Sequence, residues 1–181
     1  ANREESKYEM LDGQQRATAI CLGFGNDTFR DSQDKIKVFI DLEKPKNEDN
    51  RKYIFRVITK SHPWGYRRID NTKTLDSDNI RKAMNFYNVQ DHFEEALDKF
   101  FPFDAIFPVP FNIFTDAAIN NKNLQELIAA IKEWPHYQQI FQRNTKEIQN
   151  DSLECITEKK IEKRIDEIFM MVKIMLDRDN G

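Results

Sequence analysis

A first group of residues suited to binding or catalysis lies near the start of the chain, in the segment YEMLDGQQRAT at 8–18. Asp12-Gly13 is a turn signal after a short apolar segment, and helix-forming residues run from Gln14 to about Leu22. The first turn of a helix offers unpaired backbone N–H groups and the positive end of the helix dipole, which together favour an anion. Gly13 has no side chain and would let a phosphate group approach the backbone closely.

Arg16 strengthens this interpretation, because its guanidinium group matches the geometry of phosphate oxygens. A cation in the first turn opposes the dipole of an empty helix, and a bound anion would remove that cost. Gln14 and Gln15 carry uncharged donors and acceptors that could orient a water molecule or bind a nucleoside, and Thr18 adds a hydroxyl. Asp12 would orient water or Mg²⁺, or would cap the helix.

A structural interpretation accounts for most of the same residues. Asp12 is a good N-cap residue, and Gln15 stands three positions later, where the partner in a capping box belongs. Every residue of the segment except Arg16 is explained by a strand, a turn and a helix start. Spacing alone leaves both interpretations open.

Aromatic and cationic side chains alternate in a second segment, KSHPWGYRR at 60–68. An aromatic face can hold a base while Arg or Lys holds a phosphate. Pro63 and Gly65 would fix an irregular loop, and the alternative is a loop whose Trp fills the edge of the core. The candidates for nucleotide binding are His62, Trp64 and Tyr66, and those for nucleic-acid contact are Lys60, Arg67 and Arg68.

The first segment resembles the signature of the N-terminal domain of GmrSD-type, modification-dependent restriction endonucleases, in the ParB/sulfiredoxin-like fold group. The broader pattern D-G-x-x-R-x-x-A is met at four positions, Asp12, Gly13, Arg16 and Ala19. The family more commonly continues with Leu-Thr-Thr, whereas this chain has Ala-Thr-Ala at 17–19. Residues 55–68 are also similar to a segment of some members, so the resemblance covers about residues 7–68.

The resemblance implies nucleotide binding and NTP hydrolysis at DGQQR, coupled to cleavage of modified foreign DNA. It assigns Asp12, Gln14, Gln15 and Arg16 as catalytic and Gly13 as nucleotide-binding. The implied cofactor is GTP or ATP, with Mg²⁺, and the implied partners are modified DNA and a nuclease domain or subunit. No His-Asn-His nuclease motif is visible in this chain, and family elements that precede DGQQR contribute to the pocket. We therefore expect a piece of a longer protein, its NTPase or regulatory part. A non-catalytic DNA-binding or protein-interaction domain is the alternative.

The composition limits the classes of protein to which this chain can belong. Of the 181 residues, 39% are hydrophobic and 33% charged, which is typical of a globular chain with a well-solvated surface. The net charge of −3 provides no global attraction for DNA or an anionic membrane. The two cysteines are far apart, and no metal-ligand spacing is present. No apolar run is long enough to span a bilayer, and there is no signal peptide, so we expect a cytoplasmic location.

Hydrophobic periodicity predicts the elements that must position these residues. Strands are expected at 7–11, 35–42 and 52–59, the last two as a long-looped hairpin in which 35–42 is half-buried. Helices are expected from Asp76 onward, at 89–101, at 123–134, after Pro135 and at 157–178. An extended buried crossing is expected at 101–111.

These elements predict an α+β fold. A small ParB/sulfiredoxin-like mixed sheet in residues 1–70, missing its N-terminal elements, is followed by a helical part in residues 71–181. The last helix carries an apolar seam at spacings of four and three, namely Ile161, Ile165, Ile168, Val172 and Met175. That seam indicates either a core helix or the interface of a homodimer.

Overall fold

The computed structural model describes residues 36–43, 52–68, 70, 72–90, 97–147 and 156–179. Its strands are β1 (Ile36–Asp41), β2 (Ile54–Thr59) and β3 (Pro108–Pro110). Its α-helices are α1 (Ser77–Tyr87), α2 (Phe111–Ile119), α3 (Leu124–Glu133), α4 (Tyr137–Glu147) and α5 (Glu158–Asp179), and a 3-10 turn spans Leu97–Lys99. The predicted α+β class is confirmed.

The described strands form one antiparallel sheet in the order β2-β1-β3. The hairpin register pairs Ile36 with Thr59 and Asp41 with Ile54, which confirms the predicted pairing of these two strands. The third strand pairs Phe39 with Pro110 on the other edge of β1. Because β3 comes after residue 70, the predicted division of the chain falls between strands of one sheet.

The central strand is buried on both faces toward its end, so the expectation of a half-buried strand is wrong there. Phe39, Ile40 and Asp41 are each at most 1% exposed, although successive side chains point to opposite faces. On one face Phe55 of β2 meets Phe111 of α2, with ring centroids 5.1 Å apart. On the other face Phe39 meets Trp134, with centroids 6.1 Å apart. The sheet is therefore packed between two layers.

Local capping explains where several helices start. Asp76 accepts a hydrogen bond from the backbone N–H of Asn79 (2.9 Å) and begins α1, as predicted. A capping box between Asn123 and Glu126 begins α3. The predicted helices at 123–134, after Pro135 and at 157–178 are confirmed within a few residues by α3, α4 and α5.

Two other expectations need correction. Within the described part of the predicted helix 89–101, only Leu97–Lys99 is helical, as a 3-10 turn, and Phe100 and Phe101 are fully buried beyond it. The predicted extended crossing at 101–111 is extended only at Pro108–Pro110, because a turn at 102–105 precedes it and a helix that the sequence interpretation missed follows it. Helix α2 starts directly after Pro110, where the missing N–H of proline costs no hydrogen bond.

The seam of α5 lies in the core, which confirms its interpretation as a core helix. Ile161, Ile165, Ile168 and Val172 are at most 1% exposed, and α5 packs against α2 and α3. A homodimer through this helix stays a prediction and would have to use another face. None of the helices in the described ranges combines the length and apolarity that a bilayer crossing requires.

Candidate functional site

The first predicted site cannot be placed, because all of its residues, Asp12, Gly13, Gln14, Gln15, Arg16 and Thr18, lie outside the described residues. The second predicted segment, which we call the 60–68 loop, lies inside them. It follows β2 directly and leads toward α1. The candidate site is therefore built from this loop and from the segments that hold it.

Two consecutive turns give the loop its shape. Thr59 and His62 exchange backbone hydrogen bonds of 3.3 and 3.0 Å, and the N–H of Gly65 donates to the carbonyl of His62 (3.0 Å). Pro63 stands at the second position of this second turn, where its fixed φ is favourable. Gly65 has a φ of +88°, and a Cβ there would lie 3.3 Å from Pro102. The loop thus needs glycine both for its backbone conformation and for its contact with a neighbouring segment.

A buried arginine on β2 holds the far end of the loop. Arg56 is 1% exposed, its Nη2 donates to the carbonyl of Tyr66 (2.6 Å), and it forms an ion pair with Asp104. The same carboxylate accepts a hydrogen bond from the backbone N–H of Arg68 (3.0 Å). The carbonyl of Trp64 accepts from the N–H of Phe103 (2.9 Å). The loop is therefore tied at three successive points.

The electrostatics of Arg56 follow from its burial. Desolvation lowers the pKa of its guanidinium below the ordinary value, and the charges of Asp104 and Asp41 oppose that shift. Within the part of the chain that the structure describes, its buried Nη1 has no hydrogen-bond partner. A buried donor without a partner is costly. Arg56 therefore forms a close ion pair with Asp104 while one of its nitrogens lacks a hydrogen bond.

Asp41 organises the segment that carries Asp104. Its two carboxylate oxygens accept from the N–H groups of Phe107 (2.6 Å) and Ile106 (3.0 Å). Burial raises the pKa of this carboxyl to about 6, and those hydrogen bonds and the charge of Arg56 oppose the rise. The carbonyls of the same segment are held by α4, because Arg143 donates to Phe103 (2.9 Å) and Ala105 (2.6 Å).

The sequence interpretation missed these three charged residues, Asp41, Arg56 and Asp104, as parts of a site. It included Asp41 only as one position of the predicted strand 35–42. A signal was present, since Arg56 stands at an inward position of the strand IFRVIT, among Ile54 and Ile58. A charge at an apolar position of a strand predicts a buried partner. The partner itself lies 48 residues away and could not be found from spacing.

Trp64 lies in the core and not on the loop surface. Its side chain is 4% exposed and packs in a small cluster with Leu75 and Ala83. The alternative interpretation, a tryptophan that fills the edge of the core, describes this position. The expectation that the ring of Trp64 is presented to a base is therefore wrong for this structure, because that ring is enclosed by the residues that stabilise the loop.

The other predicted contact residues are exposed or half-buried. The rings of His62 and Tyr66 are stacked, with centroids 4.7 Å apart and an interplanar angle of 30°. Lys60 and Arg67 are exposed, and Arg68 is half-buried. The structure thus brings together two stacked rings and flanking cations on one fixed loop. Chemically, such a surface can bind an anion or a nucleoside.

Comparison of the chain with protein-family models, with curated proteins and with solved structures gave no significant match. A search of the described residues for three or more His, Cys, Asp or Glu side chains that could hold a metal ion found no such group.

Proposed function

We propose that this chain is the nucleotide-binding part of a modification-dependent DNA restriction system. Residues 12–16 bind the phosphates of GTP or ATP in this proposal, with the Arg16 guanidinium on a phosphate oxygen. Gln14 or Gln15 positions the attacking water molecule, as an uncharged side chain can in phosphoryl transfer. Support for the phosphate site comes from the motif and its resemblance to the GmrSD-type domain.

The observation that carries the proposal is the preorganisation of the 60–68 loop. Surface loops are usually the more mobile parts of a fold, yet buried Arg56 and the carboxylate of Asp104 hold the backbone of this loop through an ion pair and hydrogen bonds. Binding sites need such support, because contact residues must be held close to their productive geometry. His62, Tyr66, Lys60 and Arg67 are the side chains that the supported loop offers to the nucleotide.

A DNA-binding module without turnover is the second candidate. It is favoured by the exposure of Lys60 and Arg67 on the same fixed loop, since cations that contact backbone phosphates give sequence-independent affinity. The net charge of the whole chain is −3, so this contact would depend on the local surface alone. Binding that falls steeply with salt distinguishes this candidate from a nucleotide site.

The test is a titration of the chain with GTP, ATP and a short DNA duplex at two salt concentrations. We expect nucleotide binding that Arg16→Ala weakens by about tenfold or more, because a charged hydrogen bond is lost. Arg81→Ala is the matched control, since Arg81 is exposed and pairs with Asp78 on the surface of α1. If Arg16→Ala binds GTP and ATP as tightly as Arg81→Ala does, the proposed phosphate site is contradicted. DNA binding without nucleotide binding would favour the second candidate.

A further inference from the structure

Two histidines lie in the described part of the chain, and they differ in which ring nitrogens are engaged. In His136, Nδ1 lies 3.1 Å from Oε1 of Gln139 and Nε2 lies 2.9 Å from the carbonyl oxygen of Asp98. In His62, Nδ1 lies 3.1 Å from the Ser61 hydroxyl and 3.2 Å from the Tyr66 hydroxyl. No hydrogen bond from its Nε2 to any described residue exists. Both ring nitrogens of His136 thus have partners within the fold, whereas Nε2 of half-exposed His62 has none among the described residues.

The hydroxyl groups around His62 allow its Nδ1 to accept a hydrogen bond. The backbone N–H of His62 donates to the Thr59 hydroxyl (3.2 Å), which lies 3.2 Å from the Ser61 hydroxyl. One set of hydroxyl orientations has Thr59 donating to Ser61 and Ser61 donating to Nδ1 of His62. A neutral imidazole has one donor and one acceptor nitrogen. With Nδ1 accepting, the proton stands on Nε2, which becomes a hydrogen-bond donor.

We infer that Nε2–H of His62 donates a hydrogen bond to a phosphate oxygen of the bound ligand. This inference rests on the proposed function and names the group that His62 contacts. A phosphate is favoured over a base because Lys60 and Arg67 are exposed on the same loop and add positive charge. The stack with Tyr66 holds the imidazole ring in place, so the donor is oriented before the ligand arrives.

Substitution of His62 by glutamine or by asparagine tests its two ring nitrogens one at a time. The side-chain amide nitrogen of glutamine reaches the position of Nε2, and that of asparagine reaches the position of Nδ1. We would therefore measure the affinity of the full chain for GTP, ATP and a DNA duplex in His62→Gln and His62→Asn. The control is His136→Gln, which changes a histidine whose nitrogens are both used inside the fold.

We expect His62→Gln to keep the dissociation constant within about threefold of the original chain and His62→Asn to weaken binding by about tenfold or more. The control should bind as the original chain does. Whether the change appears with GTP and ATP or with DNA identifies the source of the phosphate. In the unsubstituted chain, the ¹⁵N resonance of His62 Nε2 should shift on ligand addition, a readout that does not depend on the stability of any variant.

Three results would overturn the inference. Binding retained by His62→Asn and lost in His62→Gln would assign the ring a structural role through Nδ1. Unchanged binding in both variants, together with an unmoved Nε2 resonance, would show that His62 contacts no ligand, while loss of binding in Arg16→Ala would leave the proposed function standing. A chain that binds none of the three ligands would remove the proposed function and this inference together.

Discussion

The two faces of the sheet are built from different kinds of residue. On the face covered by α2, inward side chains such as Ile40, Phe55 and Val109 are apolar. On the opposite face, Asp41 and Arg56 lie in the same layer as Phe39. This second face packs against the segment 101–107, and we call it the polar face.

The two faces differ in how freely their residues can be exchanged. An apolar face tolerates exchanges of similar volume, so many sequences would build it. The polar face has no such freedom, because each buried charge depends on particular partners: Arg56 on Asp104 and the carbonyl of Tyr66, and Asp41 on the N–H groups of Ile106 and Phe107. Those partners belong to the candidate site or to the segment that supports it. The structure thus places these specific contacts behind the 60–68 loop or in the segment that supports it.

The largest expected effect on stability comes from removing the positive charge of Arg56 on the polar face. Arg56→Met should lower the free energy of unfolding by about 3–4 kcal/mol, because Asp104 loses its ion-pair partner and the carbonyl of Tyr66 loses its buried donor. On the apolar face, Ile40→Val should cost only about 1 kcal/mol. Urea denaturation of both variants measures the contrast. If Arg56→Met is as stable as Ile40→Val, the two faces do not differ in the way described.

A pH series sharpens the comparison through Asp41. Its folded-state pKa of about 6 is above the ordinary 3.8, so the folded protein binds the proton more tightly than the unfolded chain does. This contribution to stability is fully present below about pH 4 and is lost as the pH rises through 6, by about 2–3 kcal/mol in total.

We expect Asp41→Asn to remove this part of the pH dependence, because the amide does not titrate. The measurement is the free energy of unfolding of both chains between pH 4 and 7.5, and the quantity of interest is their difference. A difference that stays constant across this range would contradict the assignment of the titration to Asp41.

The smallest expected effect tests the contact between the loop and its support. Gly65→Ala should lower the free energy of unfolding by about 1–2 kcal/mol, because alanine is strained at positive φ. Its Cβ would also lie 3.3 Å from Pro102, and Pro102 would have to move. The matched control is Ala129→Gly in the exposed part of α3, where the reverse exchange should cost up to about 1 kcal/mol through helix propensity alone. A Gly65→Ala variant as stable as the original chain would show that the loop can relax.

The elements with a strong period were predictable from sequence. Helix α5 was predicted from an apolar seam of five residues at spacings of four and three, and α3 from the periodicity that ends before Pro135. Helix α2 was missed, because its nine residues follow a segment rich in Pro and Phe that masks the period. The 3-10 turn at Leu97–Lys99 was also missed, since the same residues fit a helical pattern that the buried Phe100 and Phe101 interrupt.

The candidate site divides in the same way. Sequence singled out the 60–68 loop, because alternating rings and cations are a local pattern. It could not tell that Trp64 points into the core while His62 and Tyr66 stay on the surface, since all three are aromatic residues of one short loop. It also missed Asp104 as the partner of Arg56.

The sequence by itself therefore determined what depends on neighbours along the chain: the two hairpin strands, the capped helices and the loop with its fixed turns. Only the tertiary structure decided which charges are buried together and which aromatic ring of the loop is buried in the core. The reason is that local hydrogen bonds and hydrophobic periodicity depend on residues that are close in sequence. The partner of a buried charge is instead set by packing between segments, and for Arg56 that partner is 48 residues away.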